Sequence, residues 1–402
     1  MRVIADFQIH SRYSRATSRN TTPENLAEGA RLKGLQLLGT GDFTHPSWLK
    51  ELENKLEPVD GSDLFKLNGT FFMLTGEFCT IYEDEGKVRK VHHMIHAPSF
   101  EVVTQIQDVL LKHGSITADA RPIFKTPAPQ IVEELMEIDQ RIFIYPAHVW
   151  TPWFGALGSK SGFDSIEDCY KDQVKHIHAI ETGLSSDPSM NWCVSSLDKF
   201  ALISSSDAHS PNPWRLGREA NVFDLKRVTY DDIHSAIKSK NPKKFLFTIE
   251  VNPSYGKYHF DGCKKCGFNC DPSETAKYGG KCPNCKKRKI TVGVLSRVYQ
   301  MSDRKNGFVP KNAVPFKSLL PLYEIISFSL DVKQLYSKKV VDQMMSLIRT
   351  FGTELNVVLE AEEEELRKVT DPRIVDAIMK IRSGEVRFNP GYDGVYGRPV
   401  FS

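Results

Sequence analysis

Up to about residue 250 the chain alternates between short apolar runs and amphipathic stretches, and the apolar runs end on metal-binding residue types. Runs at 3–10, 35–38, 71–74, 91–95, 141–145, 176–180 and 200–203 read as strands. Between most of them lie helical patterns, such as 99–114 and 129–138. Thr22-Pro23 supplies an N-cap and a proline at the first helical position, and Gly34 stops that helix. Strands alternating with helices predict an α/β fold on a parallel sheet or barrel. In such barrels reactive groups sit at the C-terminal ends of the strands. Those ends carry, in order, Gln8 and His10; Asp42 with His45; Glu77; His92 or His93 with His96; His148; Glu181; and Asp207 with His209. Seven of the twelve histidines fall there. A lone histidine is as often a structural hydrogen-bonder as a ligand, but a set in phase with the strands points to metal.

Asp207-Ala-His209 is the centre of this set, because residues i and i+2 of an extended chain share a face. Imidazole and carboxylate without cysteine suit Zn²⁺, Mn²⁺ or Fe²⁺ rather than Mg²⁺ alone. Bridging carboxylates such as Glu77 and Asp207 would let two or three ions sit close together. That arrangement lowers the pKa of water and neutralises charge on a phosphate, so phosphoester hydrolysis leads over deamination or amide hydrolysis. Arg15, in the Ser/Arg-rich stretch after the first strand, and Arg215 and Arg218, after the last, offer planar forks for phosphate oxygens. A solvated surface is the plainer reading of all three. Trp150-Thr-Pro152-Trp153-Phe154 follows His148, and Trp150 and Trp153 either pack the loop or stack on a nucleic-acid base.

Five of the eight cysteines fall between Cys263 and Cys285, which favours metal over disulfides. Cys263-Lys-Lys-Cys266 and Cys282-Pro-Asn-Cys285, fifteen residues apart, predict a four-cysteine zinc ribbon with Cys270 to spare. Four thiolates leave no open coordination position, so this zinc is structural. The net charge of +3 conceals an imbalance: residues 256–300 hold ten Lys/Arg against three Asp/Glu. That basic stretch is either a DNA-backbone contact or a solvated loop. No apolar run approaches membrane-spanning length and no signal-peptide pattern opens the chain, so a cytoplasmic protein without a membrane partner is expected.

From about residue 300 the pattern is helical. Ser337 caps one helix, ended by Gly352, and Asp371-Pro372 opens another, followed by Gly384. Residues 362–365, all glutamate, read as a solvated helix face, and the turn-rich tail at 389–397 must pack on something else. The expected division is a metal-dependent phosphoesterase barrel at 1–252, a zinc ribbon at 253–298 and a mainly helical region at 299–402.

The strand-end set, at His10, Glu77, the His92-His93 strand, His148 and Asp207-Ala-His209, resembles the polymerase and histidinol phosphatase (PHP) family. Gly256-Lys-Tyr-His-Phe-Asp-Gly-Cys, Cys282-Pro-Asn-Cys, Thr291-Val-Gly-Val-Leu-Ser-Arg-Val and Pro390-Gly-Tyr-Asp-Gly-Val-Tyr-Gly resemble its endonuclease Q branch. The resemblance covers nearly the whole chain. It implies an α/β fold: a distorted seven-stranded barrel holding two or three divalent ions (Zn²⁺, Mn²⁺ or Mg²⁺), followed by the ribbon and a helical region. It further implies a DNA repair endonuclease. Such an enzyme incises 5′ to hypoxanthine, uracil, xanthine or an abasic site and leaves a 3′-hydroxyl and a 5′-phosphate. The implied ion ligands are Gln8, His10, Asp42, Glu77, His92 or His93, His148, Asp207 and His209. The implied partner is damaged DNA; some relatives bind a sliding clamp, although no clear C-terminal clamp motif stands here. The chain departs from the family at Gln8-Ile-His10, where His-x-His is usual, at Arg15, where an acidic residue is common nearby, and at Asp42-Phe43, where the family has Asp-His. Two other functions remain in view: a small-molecule phosphatase on the same barrel, and a DNA-binding protein whose altered first motif has lost catalysis.

Overall fold

The computed structural model describes residues 1–286 and 288–401. Its first strand, β1 (Arg2–Asp6), shows why the apolar runs became sheet. Val3, Ala5 and Phe7 pack into one hydrophobic cluster while Ile4 packs into another, as the two-residue repeat of a strand buried on both faces requires. β2 (Leu37–Gly39) lies parallel to β1, and β3 (Thr70–Asp84) parallel to β2. β4 (Lys87–Ala97) then runs antiparallel to β3, from Leu74↔Ala97 to Asp84↔Lys87. β5 (Phe143–Pro146) is antiparallel to β4. From β5 a single parallel bridge, Ile144↔Ile177, leads towards β6 (Ala179–Glu181), which pairs parallel with β7 (Ala201–Ile203). A second bridge, Ile9↔Ala208, returns the path to the end of β1.

The expectation of a parallel sheet is therefore corrected at β4. Glu85 (φ 51°) and Gly86 (φ 74°) make the two-residue link between β3 and β4. Two left-handed residues form the hairpin turn that matches strand twist, and a link this short joins only antiparallel strands.

Three further strands widen the sheet beside β1. β8 (Ala220–Asp224) is antiparallel to β1, β9 (Phe245–Val251) is antiparallel to β8, and β10 (Phe316–Leu319) is parallel to β9. β10 falls where a mainly helical region was expected. Its four residues, one a lysine, carry no strand signal of their own.

The predicted helices form with their caps. In α1 (Pro23–Lys33) the Thr22 side chain accepts from the Asn25 N–H, and Gly34 (φ 100°) closes the end. α2 (Phe100–His113) is capped by Ser99, and α3 (Ala128–Ile138) follows. Farther on come α4 (Lys338–Phe351), α5 (Glu354–Leu359) and α6 (Pro372–Ser383). Ser337 stands at the start of α4 but its hydroxyl makes no capping bond. No helix among the described residues is long and apolar enough to cross a membrane.

The helical region is bolted to the strand layer at the end of α1. A Cβ on Gly34 would lie 2.7 Å from Thr353 Oγ1, so glycine is needed there for close approach as well as for its φ. Beside it Lys33 Nζ meets Glu354 Oε1 at 2.8 Å, with both side chains 1% exposed, and the same oxygen accepts from the Leu322 N–H. Glu354→Ala strands a buried ammonium and is expected to cost about 3–5 kcal/mol, whereas replacing both partners with apolar residues costs far less. Chemical denaturation of the single and double variants measures the difference, and equal losses would show the pair is not coupled.

Candidate metal centre

The segments that follow β1, β2, β5 and β7 meet the middles of β3 and β4, where Glu77 and His92 lie rather than at strand ends, in one basin, and the backbone is forced at three of these places. Asp42 (φ 53°), His148 (φ 33°) and Asp207 (φ 48°) all occupy the left-handed region. Non-glycine residues are held there at a cost, and such residues cluster at working sites. Neighbours hold the turn at Asp207 in place. Buried Asp6 accepts from the Ser206 and Gly217 N–H groups at 3.0 and 2.8 Å, and burial pushes its carboxyl up to about 6. Gly183 lies so close to His148 that a Cβ there would sit 2.5 Å from the histidine Cβ.

Two sets of side chains result, each with ligand atoms within 4.8 Å of one another: His10, Asp207 and His209; and Glu77, His92 and His148. Glu77 joins them. One of its oxygens is 2.5 Å from His92 Nδ1 and 4.0 Å from His148 Nε2, and the other is 3.2 Å from His10 Nε2. His10 Nε2 is also 2.9 Å from Asp207 Oδ1, and His92 Nδ1 is 3.3 Å from His148 Nε2. Gln8 donates to Glu77 at 3.2 Å and leaves its own amide oxygen buried without a partner. Nitrogen and carboxylate lone pairs facing one another in this way fit divalent cations in both sets.

The charges follow from that crowding. Burial works against a positive His10, but Asp42, Asp207 and Glu77 outweigh it and raise its pKa well above the usual range. Burial opposes charge on Glu77 and Asp207, and His92 and His10 nonetheless draw them below the normal carboxylate range. His148 is lowered to about 4, by burial first and then by its neighbour His92. A basin that keeps its acids ionised and His148 neutral is prepared for cations.

The remaining candidates are sorted by which way they face. Asp42 stands behind His10: one oxygen accepts from His10 Nδ1 at 3.0 Å, and the other accepts from the Ser11 N–H and hydroxyl. That corrects its expected place among the ligands, since a carboxylate so engaged orients a ligating imidazole. His93 is corrected too. It faces away from His92, bonded to Thr80 and Tyr170 through both ring nitrogens, and burial lowers it to about 3. His96 shares the His92 face but lies four residues farther down β4, against Tyr145 and His234. His45 stacks on Tyr13, outside both sets. Trp150 is a packing residue, fully buried with its N–H donated to Asn191. Trp153 is 53% exposed. Glu181 lies below His148 and accepts its backbone N–H at 2.8 Å. Arg15 is exposed and paired with Asp119, Arg215 donates to the Tyr336 hydroxyl, and Arg218 spends two N–H groups on the Ser206 carbonyl.

Two cavities open from Asp207. One of about 330 Å³ runs past His148, Trp153 and Tyr258, and one of about 900 Å³ runs past Arg215, Tyr323 and Glu324. Tyr396 borders both. The turn-rich tail brings it there by docking on residues 254–260: Gly391 N–H donates to Ser254, Gly397 N–H to Tyr255, and Phe260 N–H to Gly391. Sequence reasoning did not place Tyr396 or Tyr258 at the site, because nothing local marks a loop residue that only folding carries there.

A Gln8→His variant is expected to bind divalent ions more tightly, by at least the roughly 10–100-fold that even outer partners of a metal produce. Coincident metal titrations of the two proteins would remove Gln8 from the ligands.

The four cysteines of the basic segment gather separately. Cys266 and Cys282 sulfurs are 3.3 Å apart and those of Cys263 and Cys285 3.9 Å. A disulfide needs about 2.05 Å, while the edge of a tetrahedron with Zn–S bonds of about 2.3 Å is about 3.8 Å. Cys270 lies apart, beside Thr275.

Residues 321–385 match the family model described as the MJ0043 C-terminal domain. Protein MJ0043 of Methanocaldococcus jannaschii is 35% identical over 257 residues, 63% of this chain but 31% of that protein, so the chain spans less than a third of that relative. The crystal structure of a lesion-specific endonuclease, PfuEndoQ from Pyrococcus furiosus, superposes with a TM-score of 0.89 at 34% identity, covering 99% of this chain and 95% of that one. Endonuclease Q bound to a 27-mer duplex with an abasic lesion at its active site gives 0.87 at 34% identity, covering 99% and 96%.

Proposed function

The chain belongs to the endonuclease Q family, and on that footing we propose that it is a metal-dependent DNA repair endonuclease. It incises the strand 5′ to an abasic site or a deaminated base (hypoxanthine, uracil or xanthine), leaving a 3′-hydroxyl and a 5′-phosphate. The observation that carries this reading is the double set of imidazoles and carboxylates joined through Glu77, at the mouth of cavities sized for a nucleotide.

In this reading the ring of strands from β1 through β7 is a distorted seven-stranded barrel. It occupies residues 1–252, followed by a zinc ribbon at 253–298 and a mainly helical region at 299–402. His10, Asp207 and His209 hold one Zn²⁺, Mn²⁺ or Mg²⁺ ion, with Gln8 as a weak neutral ligand, and Glu77, His92 and His148 hold another. Bound there, such ions acidify water and offset charge on a phosphate. Asp42 engages His10 Nδ1, so that Nε2 is the nitrogen left to face an ion once its own proton is displaced. Glu181 fixes the backbone of His148. The 330 Å³ cavity receives the extruded base, with Trp153 at its rim and Tyr258 and Tyr396 along its walls. Lysines of the ribbon lie along the DNA backbone.

The test is nicking of end-labelled duplexes with and without one hypoxanthine or one abasic site. Incision confined to the lesion strand, one bond 5′ of the lesion, is the expected outcome. Release of phosphate from small monoesters without any nicking would replace this reading with a phosphatase.

A further inference from the structure

Trp153 is a large exposed ring beside the metal centre that the hydrolytic chemistry leaves unused. Its loop is tied directly to β4, the strand that carries His92. The His92 N–H donates to the Phe154 carbonyl at 2.9 Å, and the Lys90 N–H donates to the Ser161 carbonyl at 3.0 Å. The Phe154 N–H in turn donates to Ser161 Oγ at 3.1 Å. The Phe154 ring packs on His92, with centroids 4.7 Å apart. Trp153 is thereby held in a fixed relation to the metal-facing residues, on the rim of the cavity that His148 and Asp207 also line.

The two faces of the indole differ. Lys90 Nζ lies over the Trp153 ring, 5.3 Å from its centroid, and 5.6 Å from the centroid of Phe154. A ring covered on one face cannot slip between two bases, because intercalation uses both faces, but it can cap a single base. The surroundings suit DNA, since Lys160 and Lys257 stand on the same rim and add positive charge for a phosphate backbone. An abasic site has no base to offer a pocket. What it does offer, once its sugar leaves the stack, is the bare face of the base beside it.

We propose that Trp153 stacks its open face on the undamaged base next to the lesion, while Lys90 braces the ring from behind. This rests on the endonuclease reading for the identity of the DNA, and it adds a platform for the lesion's neighbour to the pocket for the lesion itself. The stacking lost when the lesion nucleotide is extruded is thereby partly restored by the protein. One platform then serves lesions with a base and lesions without one, which a base pocket alone cannot do.

The experiment compares wild type, Trp153→Ala and Trp153→Phe in melting temperature, single-turnover incision and affinity for three duplexes, which carry one abasic site, one hypoxanthine or no lesion. Melting should be unchanged, because the ring is exposed. Trp153→Ala should weaken binding of both lesion duplexes by roughly 5- to 150-fold, the range for one stacked base. The undamaged duplex should be bound nearly as before. Trp153→Phe should recover part of the loss, because a smaller ring still offers a face. A second abasic sugar, placed on either side of the first in turn, should weaken wild type on one side and leave Trp153→Ala unmoved on that side. Unchanged affinity in Trp153→Ala would overturn the proposal, and so would equal losses on damaged and undamaged DNA. Loss confined to the hypoxanthine duplex would overturn it too, since the ring would then hold the extruded base. A neighbour-base effect as large in Trp153→Ala as in wild type would do the same. A wild type that shows this coupling but nicks no strand would keep the platform and reject the nuclease reading instead.

Discussion

Asp207→Ala is expected to lose incision of an abasic or hypoxanthine duplex by at least roughly 1,000-fold, the size of effect that several kcal/mol of lost charge stabilisation produces. Binding of the same duplex should largely survive. The reason is geometric. Asp207 Oδ1 sits 2.9 Å from His10 Nε2, in the set completed by His209, and its carboxylate is drawn below the usual range by His10 despite burial. Removing it leaves two imidazoles and a weak amide to hold an ion, while the two cavities proposed to receive DNA keep all their other walls. Because Asp207 has a φ of 48°, Asp207→Asn is the cleaner companion. Asparagine tolerates that backbone and keeps the shape while removing the charge. Both variants should fail in single-turnover incision and bind by fluorescence anisotropy within a few-fold of wild type. The wild-type product should be extendable by a polymerase. Cleavage surviving in Asp207→Asn, or a product blocked at its 3′ end, would sink the mechanism.

The second large effect is expected at the ribbon. Cys282 is fully buried, and its sulfur accepts the Cys285 N–H at 3.5 Å. Among the described residues, the buried cluster here is Cys263, Cys282 and Ile290, with Phe268, Tyr278 and Cys285 packed beside it. That is too little apolar surface to order the segment by burial alone. Metal binding must therefore supply much of its folding energy. Cys282→Ser should release one zinc per chain and make residues 256–298 susceptible to protease, while ions at His10 and Glu77 stay bound. Unchanged zinc content with unchanged protease resistance would mean that packing holds the ribbon.

Much of this site was legible because ligand-type residues recur in and just after the apolar runs, although Glu77 and His92 lie in mid-strand rather than at the expected ends, and because paired Cys-x-x-Cys knuckles have few other uses. His10, Glu77, His148, Asp207 and His209 all reach the basin, and the four thiols of Cys263, Cys266, Cys282 and Cys285 gather. What pattern could not settle was direction. His92 and His93 are adjacent in a strand, so one must face in and the other out, but only the register of β4 against β3 and β5 selects His92. Trp150 and Trp153 differ by one turn of loop, and tertiary packing buries the first against Asn191 while leaving the second at the cavity rim. Asp42 looks like a ligand in the chain, but its left-handed turn places it behind His10. The antiparallel β3–β4 hairpin hinges on Glu85-Gly86, a local signal overshadowed by the strand–helix alternation around it. β10 and Tyr396 had no local signal at all, since one is a strand only because β9 offers an edge and the other lies on a loop that folding carries to the cavities. Residue chemistry and spacing determined which groups would meet; the sheet register and the loop anchors, being long-range, decided which way each one faces.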